Sequence, residues 1–123
     1  MSFFSGFKSA ASAVAVASFA LVGLVSPAIA QDRTVFLKEG ESTRMEAILI
    51  AGESVYATCD TDCSDIDMAL YTELGVEVDS DFELDDYPNV TAPFSGVFYI
   101  EVSMASCSHY LGCEVSVSSD EGF

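Results

Sequence analysis

Tryptophan is missing from this chain, histidine occurs once, and only four of 123 residues are lysine or arginine. Each scarcity removes a class of function. Without an indole there is no large platform for a sugar ring to stack on. One histidine, His109, cannot build a histidine-rich metal centre. A Ser-His-Asp catalyst would need that ring held beside a nucleophile and oriented by a third group. His109 instead falls between Cys107 and Cys113, where a turn is expected, which suits a surface residue. No catalytic residue is assigned. The few basic side chains, set against twenty acidic ones, repel nucleic acid and anionic lipid, which removes both as partners.

Helical periodicity is also missing after residue 30. Before it, Lys8 precedes an apolar run over residues 10–25 without a charge, Pro27 breaks the run, and Ala28 and Ala30 supply the small side chains a signal peptidase requires. The run is shorter than the ~20 residues that span a bilayer. Residues 1–30 are therefore expected to be a cleaved signal peptide, and residues 31–123 a single domain that is secreted or periplasmic. That domain has no membrane span. With Lys8 gone, twenty acidic residues face Arg33, Lys38 and Arg44, a net charge of −17.

All four cysteines fall within residues 31–123, and an even count in an exported chain predicts disulfides. Three pairings are open. Proximity favours Cys59–Cys63 and Cys107–Cys113, each closing a turn between expected strands. Chain entropy pulls the other way: a local loop contributes ~2 kcal/mol, a cross-link over some fifty residues ~4 kcal/mol. A zinc site is the rival reading, with poor spacing and one histidine to serve it.

Four aspartates, Asp60, Asp62, Asp65 and Asp67, are interleaved with Cys59 and Cys63. Carboxylates ~6 Å apart repel by ~0.7 kcal/mol in water and more when partly buried. Such a cluster is tolerable when solvated and favourable around a cation. Calcium, which takes six to eight oxygens, is the candidate ligand, held by a loop that a disulfide pinches. The rival is a solvated turn whose aspartates bond their own backbone. A second cluster, Asp79, Asp81, Glu83, Asp85 and Asp86, lacks a clamp and is the weaker candidate.

Alternation of period two, with turn residues every eight to twelve positions, predicts strands over 34–37, 42–50, 54–59, 66–72, 76–78, 89–91, 96–104 and 113–118. The expected fold is all-β, an antiparallel, jelly-roll-like sandwich of seven or eight strands. Phe98, Ile100, Val102 and Met104 should face its core. The strand 113–118, with Val115 and Val117 inward, is expected to pair with 96–104. Residues 119–123 should fray.

The order of these segments carries a resemblance. A-G-E-S-V-Y from Ala51 to Tyr56 precedes D-I-D-M-A-L-Y from Asp65 to Tyr71. Leu74-Gly75, an acidic loop and F-S-G-V-F-Y-I-E-V from Phe94 to Val102 follow. This resembles the bacterial pre-peptidase C-terminal domain, a β-sandwich related to the collagen-binding domains of secreted collagenases, over nearly all of residues 34–118. The resemblance implies a non-catalytic accessory or binding module. Its calcium sites are not carried over; the calcium expectation rests on the aspartates alone.

Tyr71 and Tyr99 should both point outward from their strands and, if adjacent, offer a binding patch for a polysaccharide or another secreted protein. Packing at the sandwich rim is the rival role for both. An acidic envelope protein without a ligand is the second functional class, and a small hydrolase the third.

Overall fold

The computed structural model describes residues 33–123. The signal peptide expected over residues 1–30 lies outside them. Eight strands follow in order: β1 (Arg33–Leu37), β2 (Ser42–Leu49), β3 (Ser54–Cys59), β4 (Cys63–Thr72), β5 (Glu77–Asp81), β6 (Asn89–Thr91), β7 (Gly96–Cys107) and β8 (Cys113–Ser119). They form two four-stranded antiparallel sheets, ordered β1-β8-β3-β6 and β2-β7-β4-β5. Strand one thus pairs with eight, two with seven, three with six and four with five. That is the strand order of a jelly roll, and it makes the all-β antiparallel sandwich that was expected.

The core follows from that alternation. β7 turns Phe98, Ile100, Val102 and Met104 inward, and β4 adds Ile66, Met68 and Leu70. The other sheet answers with Val55, Ala57, Val90, Val115 and Val117. All are essentially without solvent contact, and each large side chain contributes about 1.5–3 kcal/mol by leaving water. Most outward positions are polar, with Phe36, Ile48 and Tyr56 as exceptions, and a one-residue slip would expose the whole inward set.

Several expectations need correction. β8 does not pair with β7. Both edges of β7 are taken by β2 and β4, and β8 lies in the opposite sheet between β1 and β3. Val115 and Val117 therefore meet the β7 side chains across the sandwich, and residues 108–112 cross from sheet to sheet. β4 starts at Cys63, not Ile66, so Asp65 joins Asp67 within the strand. The chain end is anchored: Gly122 and Phe123 N–H groups donate to Ser119 Oγ, and Arg33 lies over the Phe123 ring at 4.4 Å.

The cysteines pair as proximity favours. Cys59–Cys63 has Cα atoms 5.9 Å apart, and Cys107–Cys113 has them 6.0 Å apart. Each joins one sheet to the other at the same end of the sandwich. Gly112 (φ 108°) lets that turn close against β1, since a Cβ there would lie 3.1 Å from the Leu37 carbonyl oxygen.

Candidate functional site

The aspartates of the cysteine turn divide into two settings. Asp60 is used up by the backbone: Oδ1 accepts the Asp62 N–H at 3.1 Å and Oδ2 the Glu114 N–H at 2.9 Å. It is a turn-forming residue that also ties β3 to β8. Asp62 is exposed, and its carbonyl accepts both the Ser108 N–H and hydroxyl. Asp65 and Asp67 lie further along, on the outer face of β4, beside Asp81 and Asp85. Their Oδ1 atoms are buried and have no hydrogen-bond partner. Burial first, then the charges of Asp65, Asp81 and Asp85, hold the Asp67 carboxyl above the usual carboxylate range. Among the described residues, no three acidic, cysteine or histidine side chains are arranged to hold a metal ion.

The second acidic cluster does backbone work that the sequence does not announce. Asp79 Oδ2 accepts the Thr91 N–H at 2.8 Å, and Asp81 Oδ2 accepts the Asn89 N–H at 3.0 Å. Alternate aspartates of β5 thus satisfy amides of β6, the edge strand of the facing sheet. Asp81 Oδ1 and Asp85 Oδ1 close local turns at Glu83 and Tyr87. An edge strand with its amides occupied is less open to another chain.

Tyr71 and Tyr99 are direct cross-strand neighbours on the outer face of the β2-β7-β4-β5 sheet. The tyrosine patch is nonetheless largely covered. Arg44 lies over the Tyr71 ring at 4.3 Å and reaches Glu101 at 3.4 Å. Tyr71 also bonds to Glu101; burial foremost, then that carboxylate, raises its hydroxyl above the ordinary tyrosine range. Both tyrosines are half-buried, so the pair packs the sheet face more than it offers a free ring.

His109 is exposed, stacks on Tyr110 at 5.3 Å between centroids, and accepts the Leu111 N–H at Nδ1. It finishes a turn. Among the described residues, its ring hydrogen-bonds to the Leu111 amide and to no serine or threonine hydroxyl.

Two features were missed from sequence. The first is Glu53, a buried carboxylate that accepts the Ile50 N–H at 2.9 Å and the Ser119 hydroxyl at 2.6 Å. It locks the β2–β3 turn to the end of β8. The second is an open groove of about 550 Å³ at the end away from the cysteines, lined by Thr72, Glu73, Leu74, Val76, Val78, Phe94, Gly96 and Val97. Leu74 is 92% exposed, Val76 59% and Phe94 48%. The apolar strip continues to Ile48, the cross-strand neighbour of Val97, itself 75% exposed. A signal existed: Leu74 and Phe94 are large apolar residues within predicted turns, where polar ones are usual.

No family model matches the chain, and no curated protein matches it.

Proposed function

We propose that this protein is an exported, non-catalytic jelly-roll module that binds another exported protein through the groove at Leu74, Val76 and Phe94. The observation that carries this is the set of large apolar side chains left open to water beside a well-filled core. Monomeric surfaces seldom leave such strips contiguous without a partner. The partner's chemistry follows from charge. Glu73 lines the groove, Glu77 follows it in β5, and the whole surface is strongly acidic, so a segment of alternating apolar and basic side chains suits it. A polysaccharide is the weaker choice, because Arg44 already occupies the Tyr71 ring face. The role agrees with the accessory function implied by the resemblance to pre-peptidase C-terminal domains.

Calorimetric titration tests this with three probes: an apolar–lysine peptide, its apolar–glutamate counterpart and a panel of oligosaccharides. Binding of the lysine peptide alone, weakening with salt and lost in Leu74→Lys, is the expected result. Sugar binding that survives Leu74→Lys overturns the proposal, and silence from every probe leaves the ligand-free acidic protein in its place.

A second reading rests on one observation, the two unpartnered Oδ1 atoms of Asp65 and Asp67. These would supply two oxygens to a calcium ion, with water completing the shell. Melting curves with calcium chloride and with chelator check it: an unchanged midpoint removes the cation.

A further inference from the structure

The four cysteines sit closer to a common centre than their two bonds require. Cys63 and Cys107 are direct cross-strand partners in β4 and β7. Residues so paired in antiparallel strands have Cα atoms about 4.5–5.5 Å apart, inside the span a disulfide bridges. Both side chains point to the same, inner face, and both are buried. Cys59 pairs with Val115, so Cys113 lies two residues further along the same neighbour. Cys59 is half-buried, whereas the other three are buried. An external thiol therefore meets Cys59 first.

We propose that Cys59 is a thiolation site, and that its modification starts a disulfide exchange ending in a Cys63–Cys107 bond. An external thiolate attacks Cys59 Sγ, forming a mixed disulfide there and expelling Cys63 as thiolate. Cys63 Sγ then attacks Cys107 Sγ across the strand pair, and Cys113 leaves as thiolate. Resolution follows when the Cys113 thiolate attacks the mixed disulfide at Cys59, making Cys59–Cys113 and returning the external thiol. The sum is an isomerisation with no net oxidation or reduction.

The consequence is mechanical. The present bonds join β3 to β4 and β7 to β8, each crossing between sheets. The exchanged bonds join β4 to β7 and β3 to β8, each within one sheet. That end of the sandwich loses both of its disulfide ties between layers, keeping only the main-chain turns at 60–62 and 108–112. The longer loops so closed constrain the unfolded chain more strongly, which favours the exchanged pairing once the geometry allows it. The Cys59–Cys113 step needs the 60–62 turn to move, so the singly exchanged form with Cys59 capped accumulates first.

The thiol comes either from a small molecule or from the cysteine of a thiol oxidoreductase. Asp60, Asp62 and Glu114 surround Cys59 in sequence and space, so they repel an anionic thiol and attract a cationic one. The oxidised full-length protein is incubated with glutathione, with cysteamine, or with reduced thioredoxin-type protein, then acid-quenched and mapped by pepsin without reduction. The expected result is a mixed disulfide at Cys59 and a Cys63–Cys107 peptide that grows with it. Cysteamine should act about tenfold faster than glutathione at low salt, the gap closing at high salt. A faster protein arm identifies an oxidoreductase as the source. In the Cys107→Ser/Cys113→Ser variant, Cys59 should still be capped, with Cys63 left as a free thiol. Capping at Cys107 or Cys113 before Cys59 overturns the proposal, as does capping at Cys59 without any Cys63–Cys107 peptide.

Discussion

At one end of the paired strands β4 and β7 lie Cys63 and Cys107; at the other lie Thr72 and Phe98. The cysteine end is covalently closed. Two disulfides tie the layers, Asp60 satisfies two amides, and Glu39 Oε1 accepts the Cys107 N–H at 3.1 Å. The far end carries no cross-link, and Glu53 holds it by hydrogen bonds while Leu74, Val76 and Phe94 stay in water. One end spends side chains on closure, and the other leaves them available. A small sandwich can expose an apolar strip at one end because the other needs little hydrophobic area to hold it.

The sharpest way to break this contrast is at Phe98, whose ring is wholly buried and lies 5.2 Å from that of Phe94. Phe98→Ala should lower stability by about 3–5 kcal/mol in urea unfolding. It should also slacken the groove wall, since Phe94 loses the ring it leans on. The cysteine end is tested by Cys107→Ala/Cys113→Ala, which opens a short loop and should cost about 2 kcal/mol on the chain-entropy account. A cost as large as that of Phe98→Ala would show that the cross-links carry the fold and the core is secondary.

Strands were legible because burial on one face forces period two: Phe98 to Met104 and Val115 to Val117 could alternate in no other register. Local disulfides were legible for a similar reason, since each closes a turn between strand segments. What escaped depends on which strand ends up beside which. The β7–β8 pairing was inferred from sequence proximity, whereas the chain crosses to the other sheet. Asp79 and Asp81 serve β6 amides across a sheet edge, and no spacing rule places β5 next to β6. Glu53 becomes a buried anchor only because Ser119 arrives beside it from 66 residues away. Asp65 read as a loop residue because the run of aspartates hid the start of β4, and the register shifts on both sides of it break the alternation there.

The next contrast lies between charges with backbone partners and charges without them. Asp60 has two amides on its carboxylate; Asp67 has a buried oxygen with none. The raised Asp67 pKa fixes the sign of its effect. An acid that ionises less readily when folded adds stability below its unfolded value, near 4, and loses it as pH rises through the higher folded value. Asp67→Asn, which mimics the protonated form, should raise stability at pH 7 by about 1 kcal/mol. The gain should shrink as pH is lowered toward 4. Calcium tests the same residue independently: if a cation neutralises the pair, it raises the wild-type melting temperature and leaves that of Asp67→Asn unmoved.

The smallest change in stability should come from Leu74→Lys, and its value lies in that. Leu74 follows Glu73 and precedes Gly75 (φ 88°) in the β4–β5 turn, with its side chain almost fully in water. Replacing it removes no buried contact, so the unfolding free energy should stay within about 0.5 kcal/mol of wild type. Binding of a neutral apolar dye such as Nile red should nonetheless fall several-fold, because the most exposed apolar group of the groove has gone and a charge has replaced it. A parallel Ile48→Lys substitution should weaken dye binding less, since Ile48 lies past Val97 at the margin of the strip. If Leu74→Lys unfolds the protein, the residue belongs to the structure and the groove is a packing defect. If stability holds and dye binding does too, the apolar end is inert and the groove proposal fails.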